Sequence, residues 1–137
     1  MPKSLSRKDN HRQSLLRNLA TSLILYEEVR TTKAKAKEIK PIVEHLIQVA
    51  KKDDLGSRRR ALGFLFDEKA TKKIFEVLVP RYKKIQSGFV KIYKIGSRLG
   101  DNAQMAIIKL EPAKTAPTPE SESRQLKDKN VEEKAKK

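Results

Sequence analysis

The stretch GSRLGDNAQMA, from Gly96 to Ala106, leads from the apolar run Phe89–Ile95 into the apolar run Met105–Leu110. Glycine readily adopts backbone angles with positive φ, and Asp and Asn side chains bond their own backbone in turns. The stretch therefore predicts a tight reversal between two strands, with Arg98 at its tip. The residues predicted to shape this turn are Gly96, Gly100, Asp101 and Asn102.

A glycine-rich loop can also cradle a phosphate, so the residues after the loop decide its meaning. A nucleotide-binding loop runs into a helix, and a P-loop carries Lys and then Ser or Thr directly after its second glycine. Here Gly100 is followed by Asp101, Asn102 and a strand-like run. The sequence therefore argues against nucleotide binding, and we expect no cofactor.

Charge is the most unusual property of the composition. The 137 residues include 32 Lys and Arg against 17 Asp and Glu, which gives a net charge of +15. Charged residues make up 36% of the chain, compared with about 25% in an average globular domain. Residues 1–112 carry 25 basic and 12 acidic side chains, and residues 113–137 carry 7 and 5. The positive field therefore belongs to the first 112 residues and predicts a polyanionic partner.

Several classes of protein are disfavoured by what the sequence lacks. There is no cysteine, so disulfides, cysteine-containing zinc sites and thiol catalysis are excluded. Neither His11 nor His45 has partners at metal-ligand spacing, and we predict no metal site. No apolar run approaches the length of a membrane span, and the polar start does not resemble a signal peptide. We expect a cytoplasmic protein that contacts no membrane.

The spacing of apolar residues predicts a helix-rich α/β (α+β) single domain with about four helices on a small three-stranded mixed sheet. Residues 1–112 form this domain, with a basic arm at residues 1–8, and residues 113–137 are predicted to be a disordered, charged extension. The predicted strands span residues 25–31, 88–95 and 105–110. Asp9 or Asn10 is predicted to cap the first helix, and Thr31 or Thr32 to cap a second helix that runs to about Lys52. A third helix is predicted from Arg58 to about Phe66, and Asp67 is predicted to cap a fourth that ends at Pro80.

The same spacing predicts which side chains face the core. In the third and fourth helices, the predicted inward residues are Ala61, Leu62, Leu65, Ala70, Ile74, Val77 and Leu78. In the second strand, alternation places Phe89, Lys91, Tyr93 and Ile95 on one face. Phe89 and Tyr93 could form a base-stacking pair only if that face were open, whereas Tyr82 is predicted to be a core or edge aromatic.

Basic residues occur in clusters that suit contact with phosphates, because Arg binds phosphate through two donors and helix N-termini favour anions. For each cluster the simpler alternative is a solvated charged face. The candidate RNA contacts are Lys3, Arg7, Lys8, His11, Arg12 and Arg17 in the arm and first helix, Arg30, Lys33 and Lys35 before and in the second helix, Arg58, Arg59 and Arg60, then Arg81, Lys83 and Lys84, and finally Arg98. Lys37 also lies in the cluster at the start of the second helix.

Paired acidic residues are the only hint of catalysis. Asp53–Asp54, Asp67–Glu68 and Glu27–Glu28 each lie at a predicted helix end or strand edge, where capping and solvation explain them. No nucleophile and base accompany them. We predict that the chain is not an enzyme and has no small-molecule substrate.

Five local strings, taken in order, resemble one known family over residues 1–112. They are Leu5-Ser6-Arg7 with His11-Arg12, Leu16-Arg17-Asn18-Leu19, Val29-Arg30-Thr31-Thr32 with Lys35-Ala36-Lys37-Glu38, Pro80-Arg81-Tyr82, and Gly96–Ala103 running into Met105-Ala106. Together they are similar to the bacterial large-subunit (50S) ribosomal protein seventeen family. The segment Gly88–Lys91 is less aromatic and less arginine-rich than the usual strand start of that family. Residues 113–137 have no counterpart in it.

The resemblance implies an α/β domain embedded in large-subunit ribosomal RNA near the exit side of the peptide tunnel. Its implied partners are that RNA and neighbouring large-subunit proteins, and it is not expected to form a homo-oligomer. The predicted function is that of a structural constituent of the large ribosomal subunit that binds and stabilises 23S rRNA. The alternative is a free nucleic-acid-binding protein, either an RNA chaperone or a DNA-binding regulator.

Overall fold

The computed structural model describes residues 4–111, so Lys3 and the predicted extension at 113–137 lie outside the described residues. The elements in chain order are α1 (Asp9–Tyr26), β1 (Glu28–Thr32), α2 (Lys33–Ala50), α3 (Leu55–Leu65), α4 (Glu68–Lys73), a π-helical segment (Ile74–Leu78), α5 (Val79–Tyr82), β2 (Val90–Ser97) and β3 (Gln104–Leu110). Because α4, the π-helical segment and α5 are contiguous, residues 4–111 contain four continuous helical stretches, as predicted.

The sheet has the order β1-β3-β2, and both pairings are antiparallel. The predicted three-stranded sheet is confirmed, but it is not mixed. The physical reason is the place of β3, which lies between the other two strands. The strands that are joined through the helices, β1 and β2, are therefore not neighbours, and no parallel pair forms.

One face of the sheet packs against the helices. In β3 the side chains of Ala106, Ile108 and Leu110 are buried, as the alternation predicted, and Lys109 is exposed. Contacts from α1 and α2 reach the sheet and close the core. The largest fully buried side chains are Tyr82, Phe89, Leu23, Ile24, Ile39, Ile47, Ile74, Leu78, Ile108, Leu110, Val43 and Val90.

The ends of the first helix and strand differ from the prediction. The N-cap of α1 is Lys8, which makes no side-chain capping bond, so neither Asp9 nor Asn10 is the cap. At its other end α1 continues to Tyr26, and Glu27 then reverses the chain with a left-handed φ of 61°. The strand predicted at residues 25–31 therefore begins only at Glu28.

Two aspartates start the next helices. Asp54 accepts a hydrogen bond of 2.6 Å from the backbone N–H of Ser57, so α3 begins at Leu55 and not at Arg58 as predicted. This bond lowers the pKa of Asp54. Asp67 accepts from the backbone N–H of Lys69 at 2.8 Å and caps α4, as predicted. These caps account for two of the paired acidic sites without catalysis.

Two residues predicted to be inward are exposed. Leu62 is 42% exposed because the buried side of α3 is set by Ser57, Ala61 and Leu65, at intervals of four residues. Val77 is 40% exposed because it lies in the π-helical segment, where the helical period differs from 3.6. The helix also does not end at Pro80, which is tolerated near the first position of α5.

The aromatic residues near β2 are divided between core and surface. Phe89 is 1% exposed and precedes the strand, whereas Tyr93 is 46% exposed, so the predicted shared face is wrong for this pair. Strand alternation begins only at Val90. The Phe89 ring lies 5.0 Å from that of Tyr82, whose hydroxyl donates to the carbonyl of Glu111. Tyr82 is thus a core aromatic, and burial raises its pKa.

Candidate nucleic-acid interface

The predicted arm contacts the domain through Leu5. Leu5 is partly buried against the core, and the backbone N–H of Arg7 donates to the carbonyl of Ser4 at 3.2 Å. The guanidinium of Arg7 donates to Nε2 of His11 at 3.0 Å, one helical turn further on. Two predicted contacts are thus brought together at the start of α1. Lys8 beside them is exposed.

Arg12 joins α1 to α2. Its guanidinium donates to Glu38 at 3.2 Å, and the two side chains are only 18% and 16% exposed. The sequence analysis grouped Arg12 with the RNA contacts of the arm, because its partner Glu38 lies 26 positions away and no local pattern reveals the pair. An ion pair with this degree of burial gives Arg12 a role inside the fold.

Glu27, at the junction of α1 and β1, forms ion pairs with two basic side chains. Its carboxylate accepts from Arg81 at 2.7 and 3.2 Å and forms an ion pair with Lys73 at 3.0 Å. The hydrogen bond from Arg81 is the main cause that lowers the pKa of Glu27, and the bond from Lys73 adds to it. The predicted RNA contact Arg81 is therefore engaged within the fold, whereas Lys83 and Lys84 are exposed.

The turn between β2 and β3 is closed around Arg98. Its guanidinium donates to both carboxylate oxygens of Asp101, at 3.1 and 2.5 Å, and this lowers the pKa of Asp101 to about 2. Gly96, Gly100 and Asn102 all adopt positive φ, and Gly96 lies in β2, at the irregularity of register after Lys94. Arg98 thus points at the turn's own acid.

The N-terminus of α2 forms a basic hollow of about 400 Å³ with the start of β3. Lys33 donates to the side-chain oxygen of Gln104 at 2.9 Å, and Lys37 also lines the hollow. Lys35 is half-buried, and Arg30 is exposed in β1. The N-cap Thr32 makes no side-chain capping bond. This end of α2 therefore combines helix N–H groups with Lys33 and Lys37, two of the four basic residues that the sequence groups here.

The three consecutive arginines of α3 are all exposed and play different roles. Arg58 pairs with Asp53 at 2.9 Å, and its guanidinium carbon lies 5.0 Å from the ring centroid of Phe75. Arg59 and Arg60 form no ion pair within residues 4–111. These two are the arginines of the cluster that the fold leaves available.

Aromatic contacts to Arg17 were missed at the sequence level. The guanidinium carbon of Arg17 lies 4.7 Å from the ring centroid of Phe66 and 5.9 Å from that of Phe64. Phe66 is 70% exposed, at the left-handed C-cap of α3. The signal available in the sequence was the pair Phe66–Asp67, in which the aspartate that caps α4 directly follows the C-cap of α3.

A surface cavity, which we call the corner hollow, opens where α2 meets α3. Its volume is about 430 Å³, and its walls are mostly apolar, with His45 and Arg60 among the lining residues. A smaller hollow of about 220 Å³ adjoins it and is lined by residues that include Arg12 and Arg17. The two hollows share Ile42 and Phe64.

Other kinds of site are not formed by the described part of the chain. Residues 4–111 contain no group of three or more His, Asp or Glu side chains that could hold a metal ion. None of the helices in that range is long and apolar enough to cross a membrane.

Residues 4–111 form a small, strongly basic α+β domain with many exposed cations. A model of the family described as Ribosomal protein L17 matches residues 15–111, and the chain belongs to that family. Large ribosomal subunit protein bL17 of Caldanaerobacter subterraneus is 43% identical over 108 residues, 79% of this chain and 96% of that protein. The protein of the same name from Endomicrobium trichonymphae is 50% identical over 101 residues, covering 74% and 86%. That from Elusimicrobium minutum is 47% identical over 108 residues, covering 79% and 92%.

Proposed function

We propose that this chain is a structural constituent of the large ribosomal subunit, where it binds and stabilises 23S rRNA and supports translation in the cytoplasm. The observation that carries the proposal is the family match over residues 15–111, together with relatives named as large-subunit proteins that align over most of their length. The alternative, a free RNA chaperone or DNA-binding regulator, is not favoured by these relatives.

The charge distribution supports RNA as the ligand. Exposed cations without an ion pair among residues 4–111 include Lys8 before α1, Arg30 in β1, Arg59 in α3 and Lys83 after α5. Contacts of this kind neutralise phosphates and position the RNA backbone. The same proposed surface includes Arg7, His11, Arg17, Lys33, Lys35, Arg60, Lys84 and Arg98. In contrast, Arg12, Arg58 and Arg81 contribute mainly by stabilising the fold that presents this surface. Lys3 remains a predicted contact.

We assign no catalytic role and no small-molecule substrate, because family membership favours a structural role. The chain acts as one copy beside neighbouring large-subunit proteins, and the placement near the tunnel exit remains a prediction from the resemblance.

Sedimentation of the tagged full-length chain on a sucrose gradient tests the proposal directly. We expect the chain to migrate with the large subunit and to remain there after washing at moderate salt. In binding to purified large-subunit rRNA, neutralisation of about 6–10 phosphates would lower affinity by about 10³–10⁵ between 50 and 200 mM salt. A chain that sediments free of the subunit, or a flat salt response, contradicts the proposal.

A further inference from the structure

The corner hollow and the aromatic residues beside it form a surface that phosphate binding does not explain. The walls are apolar side chains of α2 and the ring of Phe64, and the basic groups lie among them or next to them. An apolar cavity lined in part by Arg60 and His45 suits a ligand that has a flat apolar part and a negative charge. A nucleotide within a single strand has both.

Arg17 and the two phenylalanines add the stacking component. The guanidinium lies within cation–π distance of both rings, and Phe66 still exposes 70% of its surface. The backbone fixes Phe66 because its N–H donates to the carbonyl of Leu62 at 2.9 Å. Proteins recognise unpaired RNA bases by stacking them on aromatic side chains and on arginine planes.

The charges around the corner favour RNA over a purely apolar peptide segment. Both acids of α2 are paired with cations, Glu38 with Arg12 at 3.2 Å and Glu44 with Lys40 at 3.9 Å. Arg60 forms no ion pair within residues 4–111, and Arg59 next to it is also exposed. An apolar peptide would add no negative charge beside these cations, whereas the phosphates that flank a base would add it.

We propose that the corner of α1, α2 and α3 binds an unpaired nucleobase of the ribosomal RNA, which stacks on the aromatic rings of Phe66 and Phe64 beside Arg17, with Arg60 placed to contact the adjoining phosphate. This proposal rests on the proposed function, since it names how one part of the surface engages the RNA. It assigns binding roles to two phenylalanines that charge patterning does not reveal.

The test uses the full-length chain and purified large-subunit rRNA, with affinity measured at several salt concentrations. Phe66→Ala is expected to weaken binding about 5- to 100-fold, the range for loss of one base–aromatic stack. The slope of log affinity against log salt is expected to stay unchanged, because stacking releases no counterions. Arg60→Ala is expected to lower the magnitude of that slope by about one.

Tyr26→Ala is the matched control, because Tyr26 is 75% exposed and lies at the end of a different helix. It is expected to leave RNA affinity unchanged. Phe64→Leu retains most of the apolar volume, so it is expected to fold and to lose affinity through the missing ring. Protection of an unpaired base from dimethyl sulfate by the wild-type chain, lost with Phe66→Ala, would identify the base.

The outcomes separate this inference from the function on which it rests. If the wild-type chain does not bind large-subunit rRNA, the proposed function itself fails. If the wild type binds and both phenylalanine variants bind equally well, or Tyr26→Ala loses as much, base stacking at the corner is refuted. It is also refuted if the variants keep RNA affinity but lose a neighbouring ribosomal protein on the assembled subunit, since the occupant would then be a peptide.

Discussion

Glu27 and Arg81 lie 54 positions apart in the sequence and are joined by two hydrogen bonds, of 2.7 and 3.2 Å. The carboxylate belongs to the reversal between α1 and β1, and the guanidinium belongs to α5. Lys73 of α4 donates to the carbonyl of Leu25 at 2.8 Å and pairs with the same carboxylate. This junction therefore ties three parts of the fold together.

We expect Glu27→Gln to lower the free energy of unfolding by about 1–2 kcal/mol, because hydrogen bonds to charged groups contribute about 1.5–3 kcal/mol and partial exposure reduces that value. Urea denaturation of the full-length chain measures the change. Glu28→Gln is the control, since Glu28 pairs with Lys109 at 3.2 Å and both side chains are nearly half exposed. Equal effects of the two substitutions would mean that the junction adds no stability beyond a surface pair.

The same carboxylate predicts how stability depends on pH. The hydrogen bond from Arg81, with that from Lys73, lowers the pKa of Glu27 from its ordinary value of 4.5. A lowered pKa in the folded state contributes stability that is present above the unfolded value and is lost as pH falls through the folded value. The difference in unfolding free energy between wild type and Glu27→Gln should therefore be complete at pH 7 and shrink below about pH 4.5. Urea titrations at pH 7, 5 and 3.5 measure it, and a difference that grows in acid would contradict the assignment.

Elements with regular local signals could be predicted from the sequence. The alternation in β3 correctly placed Ala106, Ile108 and Leu110 in the core, and Asp67 was correctly identified as the cap of α4. Each of these signals is contained in a few consecutive residues. The family strings likewise identified the family, because they are local.

Features that depend on distant residues could not be predicted. Arg81 and Arg12 appeared as free cations because their partners, Glu27 and Glu38, lie 54 and 26 positions away. The exposure of Val77 follows from a π-helical segment, whose longer period departs from the pattern assumed for a helix. The corner hollow required the packing of α2 on α3, which no sequence pattern specifies.

Substitutions of the arginines should separate fold from binding. Arg12→Ala leaves Glu38 without this ion pair in a partly buried site, so we expect a loss of about 1–2 kcal/mol in the free energy of unfolding. Arg59→Ala removes an exposed side chain that forms no ion pair within residues 4–111, and we expect a change within about 0.5 kcal/mol. In rRNA binding, Arg59→Ala should lower the magnitude of the salt slope by about one. Thermal unfolding and salt-dependent binding of the two variants measure this, and loss of stability in Arg59→Ala would assign that residue to the fold.

The glycines offer a matched test of the turn. Gly100 has a φ of +100°, a conformation that residues with a Cβ rarely adopt. Gly63 lies within α3, and a methyl group placed there would meet no atom within 4 Å beyond its chain neighbours and the local helix backbone. We expect Gly100→Ala to destabilise the chain by about 1 kcal/mol or more, because the turn around Arg98 and Asp101 must distort. Gly63→Ala should stabilise it by about 0.5–1 kcal/mol through helix propensity. Urea denaturation of both variants compares the same chemical change at two backbone conformations. Equal shifts in the same direction would show that the strand reversal does not depend on the left-handed conformation at Gly100.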